Sequence, residues 1–158
     1  MIKHVEGNIF NFITEGAYLV HQTNTEGVMG GGIAYQIKNI FPNVFKEYAK
    51  YCRQDKNNIM GTCQIVPDTY KRMSVNICNC FAQDLSTLHD CHLTDYIALR
   101  LSLNFLSVKV PNNATILIPK NIGCGIGGGD WNVVEDIISE TLGHHDVLIV
   151  DFNGDKLV

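Results

Sequence analysis

Two glycine-rich stretches constrain the fold of this chain more than any other feature of its sequence. The first, GVMGGGIAYQ, covers residues 27–36, and the second, IPKNIGCGIGGGDW, covers residues 118–131. Each follows an apolar segment typical of a buried strand and leads into a segment with helical spacing. Glycine in such places costs backbone entropy, so some part of the structure or its ligand must require the bare backbone. The pattern predicts two equivalent strand-to-helix turns in an α/β protein.

The other segments alternate between strand and helix patterns. Short β-branched or apolar runs predict strands, and apolar residues at a 3.6-residue spacing predict helices. Strands are predicted at 2–6, 17–22, 61–66, 74–81, 114–119 and 146–152, and helices at 33–41, 42–52, 92–108 and 131–142. The late alternation of strand and helix favours parallel pairing with helices on both faces. We therefore expect an α/β fold, a three-layer α/β/α sandwich around a mixed, largely parallel central sheet.

The helix predicted at 92–108 has the most regular apolar spacing. Its apolar side chains recur roughly once per helical turn, as an amphipathic helix requires. The residues in this repeat are Leu93, Ile97, Leu101, Phe105 and Val108. The spacing predicts that they form the apolar face of the helix.

Composition narrows the class of protein. The chain has 158 residues, of which 46% are apolar and 18% charged, and this predicts a single domain spanning residues 1–158. The formal net charge of −4 disfavours a surface that binds nucleic acid through its phosphates. No apolar run approaches the ~20 residues that span a bilayer, and no secretory leader is evident. We expect a cytoplasmic monomer that binds neither membrane nor nucleic acid.

Six cysteines allow three readings: disulfides, a metal site or buried thiols. A domain of this length can build a core without disulfides, so we expect mostly reduced, buried thiols. Zinc is the alternative, because Cys78 and Cys80 are close in sequence and residues 89–92 read HDCH. The spacing fits the paired C-x(2–4)-C pattern of structural zinc sites poorly. We therefore expect neither a metal nor a cofactor.

The glycine stretches themselves predict a ligand that carries phosphates. Glycines before a helix let successive backbone N–H groups converge on an anion, and the helix N-terminus adds partial positive charge. Neither stretch is a P-loop, because no Lys and Ser or Thr follow the last glycine. A dinucleotide fingerprint fits only Gly123, Gly125 and Gly128, and lies too late in the chain. The alternative is that both stretches are merely tight turns.

The combined pattern resembles the macrodomain family, the ADP-ribose-binding α/β/α module. The resemblance is carried by EGNIF at residues 6–10, by LVHQTNTEGVMGGGIAYQI at 19–37 and by IPKNIGCGIGGGDW at 118–131. It covers about one complete domain. The chain looks most similar to the branch that includes ADP-ribose 1″-phosphate phosphatases, through GGGIAYQ, the helix ending in Cys52 and the GTC segment at 61–63.

The resemblance implies a ligand, ADP-ribose or its 1″-phosphate, and a set of residues that bind it. Asn8, with Ile9 beside it, is expected to contact the adenine edge, and Phe152 is expected to stack on the adenine with Asn153 beside it. The distal ribose is expected to lie against Asn24. The loop residues implied in binding are Gly30, Gly31, Gly32 and Ile33 around that ribose, and Gly123, Cys124, Gly125, Ile126 and Gly127 around the diphosphate.

Three residues are predicted to do chemistry on a phosphomonoester. His21 is expected to end the second strand at the ligand edge and to transfer a proton or attack phosphorus. Asn24 is expected to orient the ribose or a water, and Asp130 to orient a water or accept a proton. Each also has a structural interpretation: His21 as a core histidine, Asn24 as an Asx turn and Asp130 as a helix N-cap.

Three functions therefore stay open at the level of sequence. The first is hydrolysis of ADP-ribose 1″-phosphate, and the second is a reader that only binds ADP-ribose. The third is a hydrolase that removes ADP-ribose from protein or nucleobase adducts. In the family, lysine-based hydrolases carry a lysine near the end of the strand predicted at 74–81. This chain has no lysine there and has Gly127 where some of them use an aspartate, which disfavours the third function.

Overall fold

A computed structural model of the chain describes residues 1–55, 57–85, 93–125 and 127–158. The elements follow one another in the predicted order, with a short 3-10 helix at Ile9–Phe12 in addition. The strands are β1 (Ile2–Glu6), β2 (Ala17–Asn24), β3 (Cys63–Tyr70), β4 (Met73–Gln83), β5 (Thr115–Pro119) and β6 (Asp146–Asp151). The helices are α1 (Gly32–Ile40), α2 (Pro42–Asp55), α3 (Tyr96–Lys109) and α4 (Trp131–Leu142).

The six strands form one sheet in the order β1-β6-β5-β2-β4-β3. All neighbouring pairs are parallel except β3 with β4, which is antiparallel. The prediction of a mixed, largely parallel sheet is therefore confirmed. β3 is an edge strand, and it contains Pro67 in its middle, opposite Asn76 of β4.

Two apolar cores lie on opposite faces of the sheet. In β5, Ile116 and Ile118 pack into the core under α3 and α4, whereas Leu117 between them packs into the core under α1 and α2. Neighbouring residues of a strand point to opposite faces, so a strand buried on both faces reads as a continuous apolar run. The predicted three-layer α/β/α sandwich is confirmed.

The prediction for the apolar face of α3 was wrong. Ile97, Leu101, Phe105 and Val108 are exposed on its outer side, although Leu93 before the helix is buried. The residues that α3 buries are Ala98, Leu99, Ser102, Leu103 and Leu106. Both sides of the helix carry apolar residues at helical spacing, so periodicity alone chose the wrong side.

β2 is longer than predicted. It continues past Gln22 to Asn24, with a register irregularity against β4 between Thr23 and Asn24. His21 therefore lies three residues inside the strand, and the prediction that it ends the strand was wrong. The last three residues are polar, so the apolar pattern stops before the strand does.

The five cysteines within the described residues are free thiols. Four of them, Cys52, Cys63, Cys78 and Cys80, are buried, and Cys124 is half-buried. This agrees with the expectation of reduced, buried thiols. Among the helices of the described ranges, none combines the length and the apolar character that crossing a bilayer requires.

Candidate functional site

A cavity of about 630 Å³ opens at the carboxyl ends of the central strands. Ligands bind at this edge of parallel α/β sheets, because loops there lead into helices. Its walls come from the ends of β2 and β4 and from the loops that follow β2 and β5. The described lining residues are Gln22, Thr23, Asn24, Val28, Met29, Gly30, Gly31, Gly32, Ile33, Ala34, Gln83, Leu85, Pro119, Lys120, Asn121, Ile122, Gly123, Gly125 and Gly127.

The cavity brings residues of both glycine-rich stretches together. The predicted residues that line it are Asn24, Gly30, Gly31, Gly32, Ile33, Gly123, Gly125 and Gly127. Cys124 is outside the described lining, and its thiol approaches the Ile122 carbonyl at 3.4 Å. Burial raises the pKa of the Cys124 thiol, which keeps it protonated. Ile126, predicted at the diphosphate, lies outside the described residues.

Two of these glycines are not required by the protein's own packing. A Cβ on Gly125 would meet no atom within 4 Å, and one on Gly30 would meet only Val28, at 3.7 Å. Neither residue has the positive φ that favours glycine. Both line the cavity, and the missing side chains leave its space open at these two positions.

Gly123 and Gly127, in contrast, are held close to other protein groups. Gly123 has φ +74°, and its Cβ would lie 2.9 Å from Gln22 Oε1. Gln22 donates from Nε2 to Thr94 Oγ1 at 2.9 Å, and Thr94 donates from Oγ1 to the Gly123 carbonyl at 2.7 Å. The backbone N–H of Thr94 donates to the Gly127 carbonyl at 3.0 Å. This network fixes the loop after β5 against the end of β2, so the loop is shaped before a ligand arrives.

The end of β2 leaves two buried polar atoms without a partner within the described residues. They are Gln22 Oε1 and Thr23 Oγ1, and both residues line the cavity. A buried polar group without a hydrogen bond costs about 1–3 kcal/mol, so the end of β2 is a locally unfavourable part of the fold. Sequence reasoning missed both residues. The sequence feature that could have identified them is that both are polar residues at the end of an otherwise apolar strand.

Asn24 uses its side chain to shape the loop that follows it. Its Nδ2 donates to the Val28 carbonyl at 2.9 Å, and its Oδ1 accepts from the backbone N–H of Glu26 at 3.0 Å. The Tyr48 hydroxyl donates to the same Oδ1 at 2.7 Å. Burial raises the pKa of Tyr48, so this hydroxyl remains a donor. Asn24 thus lines the cavity and also forms the Asx turn that carries the glycines.

Lys120 is the one charged residue among the described residues that line the cavity. It follows β5 directly, and its Nζ lies 3.3 Å from Asp151 Oδ2 at the end of β6. Both side chains are partly exposed, so the pair itself adds little stability. Its position gives an otherwise neutral cavity one cation for an anionic ligand.

His21 lies within β2, directly before Gln22, and is not part of the described cavity lining. It is fully buried, and its Nε2 is 2.5 Å from Asn79 Oδ1, while its Nδ1 has no partner within the described residues. Asn79 in turn donates from Nδ2 to Gln64 Oε1 at 3.1 Å. Burial lowers the pKa of His21 to about 4, against a smaller opposing effect of the hydrogen bond to Asn79. The imidazole is therefore neutral at pH 7 and donates through Nε2.

Asp130 caps α4. Its Oδ1 accepts from the backbone N–H of Asn132 at 2.9 Å, and its own N–H donates to the Tyr96 hydroxyl at 2.9 Å. This is the N-cap arrangement that was its structural interpretation. The side chain is exposed and is not part of the described cavity lining.

The residues predicted at the adenine directly follow β1 and β6 in the chain and are not part of the described cavity lining. Asn8 caps the 3-10 helix by accepting from the Phe10 N–H at 3.1 Å, and its Nδ2 donates to the Asp155 carbonyl at 3.2 Å. Ile9 is buried in the core. Phe152 is 66% exposed just after β6, and Asn153 accepts from the Asp155 N–H at 3.0 Å.

Within the described residues, no group of three or more His, Cys, Asp or Glu side chains is placed to hold a metal. The HDCH segment at 89–92 lies outside the described residues.

Comparisons with known proteins give the chain its relatives. An ADP-ribose 1″-phosphate phosphatase of Saccharomyces cerevisiae is 35% identical over 80 residues, which are 51% of this chain and 45% of that protein. A protein of the same name from Candida albicans is 28% identical over 149 residues, 89% of this chain and 93% of that protein. A DNA ADP-ribosyl glycohydrolase of Mycobacterium bovis is 33% identical over 141 residues, which are 85% of this chain and 37% of that protein. The chain thus spans less than half the length of two of these relatives.

A solved structure and a family model agree on the fold. The macrodomain of Mycobacterium tuberculosis DarG superposes with a TM-score of 0.78 at 27% identity, covering 95% of this chain and 97% of that one. The sequence model of the Macro domain family matches residues 20–138, which include residues 20–24 of β2 and both glycine-rich loops. The chain belongs to the macrodomain family.

Proposed function

We propose that this macrodomain binds ADP-ribose and hydrolyses ADP-ribose 1″-phosphate to ADP-ribose and phosphate. The proposal rests on one observation. Gly30 and Gly125 line the cavity, although neither the backbone conformation nor the packing at these positions requires glycine. Without side chains in the way, backbone N–H groups at such positions can approach and bind phosphate oxygens. Relatives named ADP-ribose 1″-phosphate phosphatase, one aligned over 93% of its length, support the choice of substrate.

The proposed reaction is the attack of water on the phosphorus of the monoester. The bond between phosphorus and the 1″ oxygen breaks and its electron pair stays on that oxygen. The attacking water loses a proton as it joins phosphorus, and the 1″ oxygen takes up a proton, so none is gained or lost overall. Such a reaction needs stabilisation of charge on the phosphoryl oxygens more than covalent chemistry from the protein. In this proposal, backbone N–H groups of the glycine loops and the Lys120 ammonium provide that stabilisation.

The three residues predicted to do chemistry take different places in the proposal. Asn24, in the cavity wall, is proposed to orient the distal ribose or the attacking water. His21 lies inside β2, so we assign it the role of positioning Gln22 and Thr23, the next two residues of the strand. Asp130 is assigned the positioning of the loop after β5 through its cap on α4.

The alternative with support is a hydrolase of ADP-ribosyl adducts, because a relative is named DNA ADP-ribosyl glycohydrolase. Gln83 disfavours it. This neutral side chain lies at the end of β4 and lines the cavity, in the region where the family's lysine-based hydrolases carry their lysine. A reader that binds ADP-ribose without reaction is the third outcome to be tested.

The deciding experiment is calorimetric titration with ADP-ribose, followed by phosphate release from ADP-ribose 1″-phosphate. Binding with release supports the phosphatase. Binding without release identifies a reader, or an adduct hydrolase if ADP-ribose is freed from modified DNA or protein instead. Absence of binding contradicts all three functions.

Gly125→Val tests the site itself. We expect the ADP-ribose Kd to rise at least tenfold, because the side chain enters the space proposed for the diphosphate. The free energy of unfolding should change by less than about 0.5 kcal/mol, since a Cβ at this position meets no protein atom within 4 Å. Gly125→Ala serves as the graded control with a smaller loss of affinity. Unchanged affinity in Gly125→Val would remove this loop from the site.

A further inference from the structure

The outer face of α3 is a continuous apolar stripe. The exposed fractions are 74% for Ile97, 54% for Leu101, 44% for Phe105 and 84% for Val108. The four residues follow one another at intervals of four, four and three, so they lie on one side of the helix. At 1.5 Å per residue the stripe is about 16 Å long.

Single exposed apolar residues are common, whereas a contiguous exposed stripe marks an interaction surface. The inner side of the helix buries Leu99, Leu103 and Leu106 in the core. On the outer side Leu101 lies beside Gly61, and within the described residues all four side chains of the stripe stay exposed.

We propose that the α3 stripe is the interface of a homodimer, in which two copies of α3 pack antiparallel about a two-fold axis. The axis passes near the middle of the helix. Leu101 of one copy then faces Phe105 of the other, and Ile97 faces Val108, each contact occurring twice. A two-fold interface must be self-complementary, and the stripe is, because its spacing is nearly the same when read from either end.

Charge at the two ends of α3 favours the same arrangement. Asp95, the N-cap, and Lys109, in the last turn, are both exposed. An antiparallel pair places the acidic end of each helix beside the basic end of the other, and it also opposes the two helix dipoles. A parallel pair would place like charges together at both ends.

The size of the stripe sets the expected strength. Its four side chains remove roughly 400 Å² of surface per protomer, about half of what one partner contributes to a standard interface. An interface of this size is typical of a weak, transient dimer, so we expect the dimer only in the upper part of a concentration range of about 1 to 500 µM. The stripe and the described cavity lining share no residue, so the proposal does not depend on the proposed function.

Sedimentation velocity between about 1 and 500 µM tests the dimer. The parent protein is expected to change from monomer to dimer across this range. Leu101→Glu should raise the dissociation constant more than tenfold, because it buries a charge at the centre of the interface. Lys109→Glu should raise it severalfold, because the new carboxylate faces Asp95 of the second copy.

Leu157→Glu is the matched control, because Leu157 is a leucine of similar exposure outside α3, and this variant should leave dimerisation unchanged. A parent protein that stays monomeric at 500 µM overturns the proposal. The proposal is also overturned if Leu101→Glu and Leu157→Glu weaken the dimer to the same extent, because the association would then not depend on α3.

Discussion

His21 is the residue whose surroundings most change what the sequence predicted for it. A histidine beside a ligand loop suggests acid–base chemistry, but this imidazole is enclosed and donates to Asn79. Its pKa, lowered to about 4, makes it a neutral member of a hydrogen-bonded chain that includes Asn79 and Gln64. A neutral, buried imidazole suits a positioning role, and whether His21 also transfers a proton, as the sequence predicted, is what His21→Gln tests.

The stability of the fold should therefore depend on pH through His21. In the unfolded chain the imidazole titrates near 6.5, and in the folded protein near 4, so the unfolded state binds the extra proton between these values. The free energy of unfolding should fall by about 2 kcal/mol between pH 7 and pH 5. Urea unfolding at the two pH values measures this change.

His21→Gln is the control for that measurement, because glutamine cannot titrate. Its free energy of unfolding should change less between pH 7 and pH 5 than that of the parent. The folded variant should release phosphate within about threefold of the parent rate, as expected for a positioning residue. A loss of a hundredfold or more in kcat with KM retained would instead make His21 a catalytic residue.

The proposed function gives Lys120, which also pairs with Asp151, the electrostatic part of ligand binding. Lys120→Met should raise the Kd for ADP-ribose about five- to tenfold, because the neutral side chain no longer attracts the diphosphate. Affinity should also become less sensitive to salt, since one screened attraction is lost. Titration at two ionic strengths measures both effects, and Lys50→Met on α2 is the control that should change neither. An equal loss of affinity in both variants would contradict a local role for Lys120.

At the scale of elements, the loop after β5 depends on the cap of the helix that follows it. Asp130→Ala should lower the free energy of unfolding by about 1 kcal/mol, because the Asn132 N–H loses its acceptor. Asp130→Ser, which keeps a capping oxygen, should recover most of that loss. Thermal or urea unfolding compares the two variants. If Asp130→Ser is stable but no longer releases phosphate, the carboxylate takes part in the chemistry.

The elements also explain which predictions sequence reasoning could and could not make. Strand order along the chain and both glycine turns were predictable, because strand and helix patterns alternate clearly. The end of β2 was not, since Gln22, Thr23 and Asn24 are polar where they line the cavity. The buried side of α3 was ambiguous because both of its sides are apolar, and the outer side has the more regular spacing.

At the scale of the whole molecule, the position of the site follows from strand order, which the sequence does not state. β2 lies between β4 and β5, so the polar end of β2 meets Gln83 on one side and Lys120 on the other. Asn8 and Phe152 belong to the β1 and β6 side of the same edge. The family resemblance implies that residues from both sides surround one ligand, whereas the described cavity covers only the central part of the carboxyl edge of the sheet.

Pro67 in the edge strand β3 has a consequence for how these molecules meet in a crowded solution. A proline offers no N–H, and in sheets it is tolerated where that group would point outward. A strand of another molecule that paired with β3 would therefore lack a backbone N–H donor at Pro67. This discourages extension of the sheet from one molecule to the next. The fold is protected on this side against fibrous aggregation.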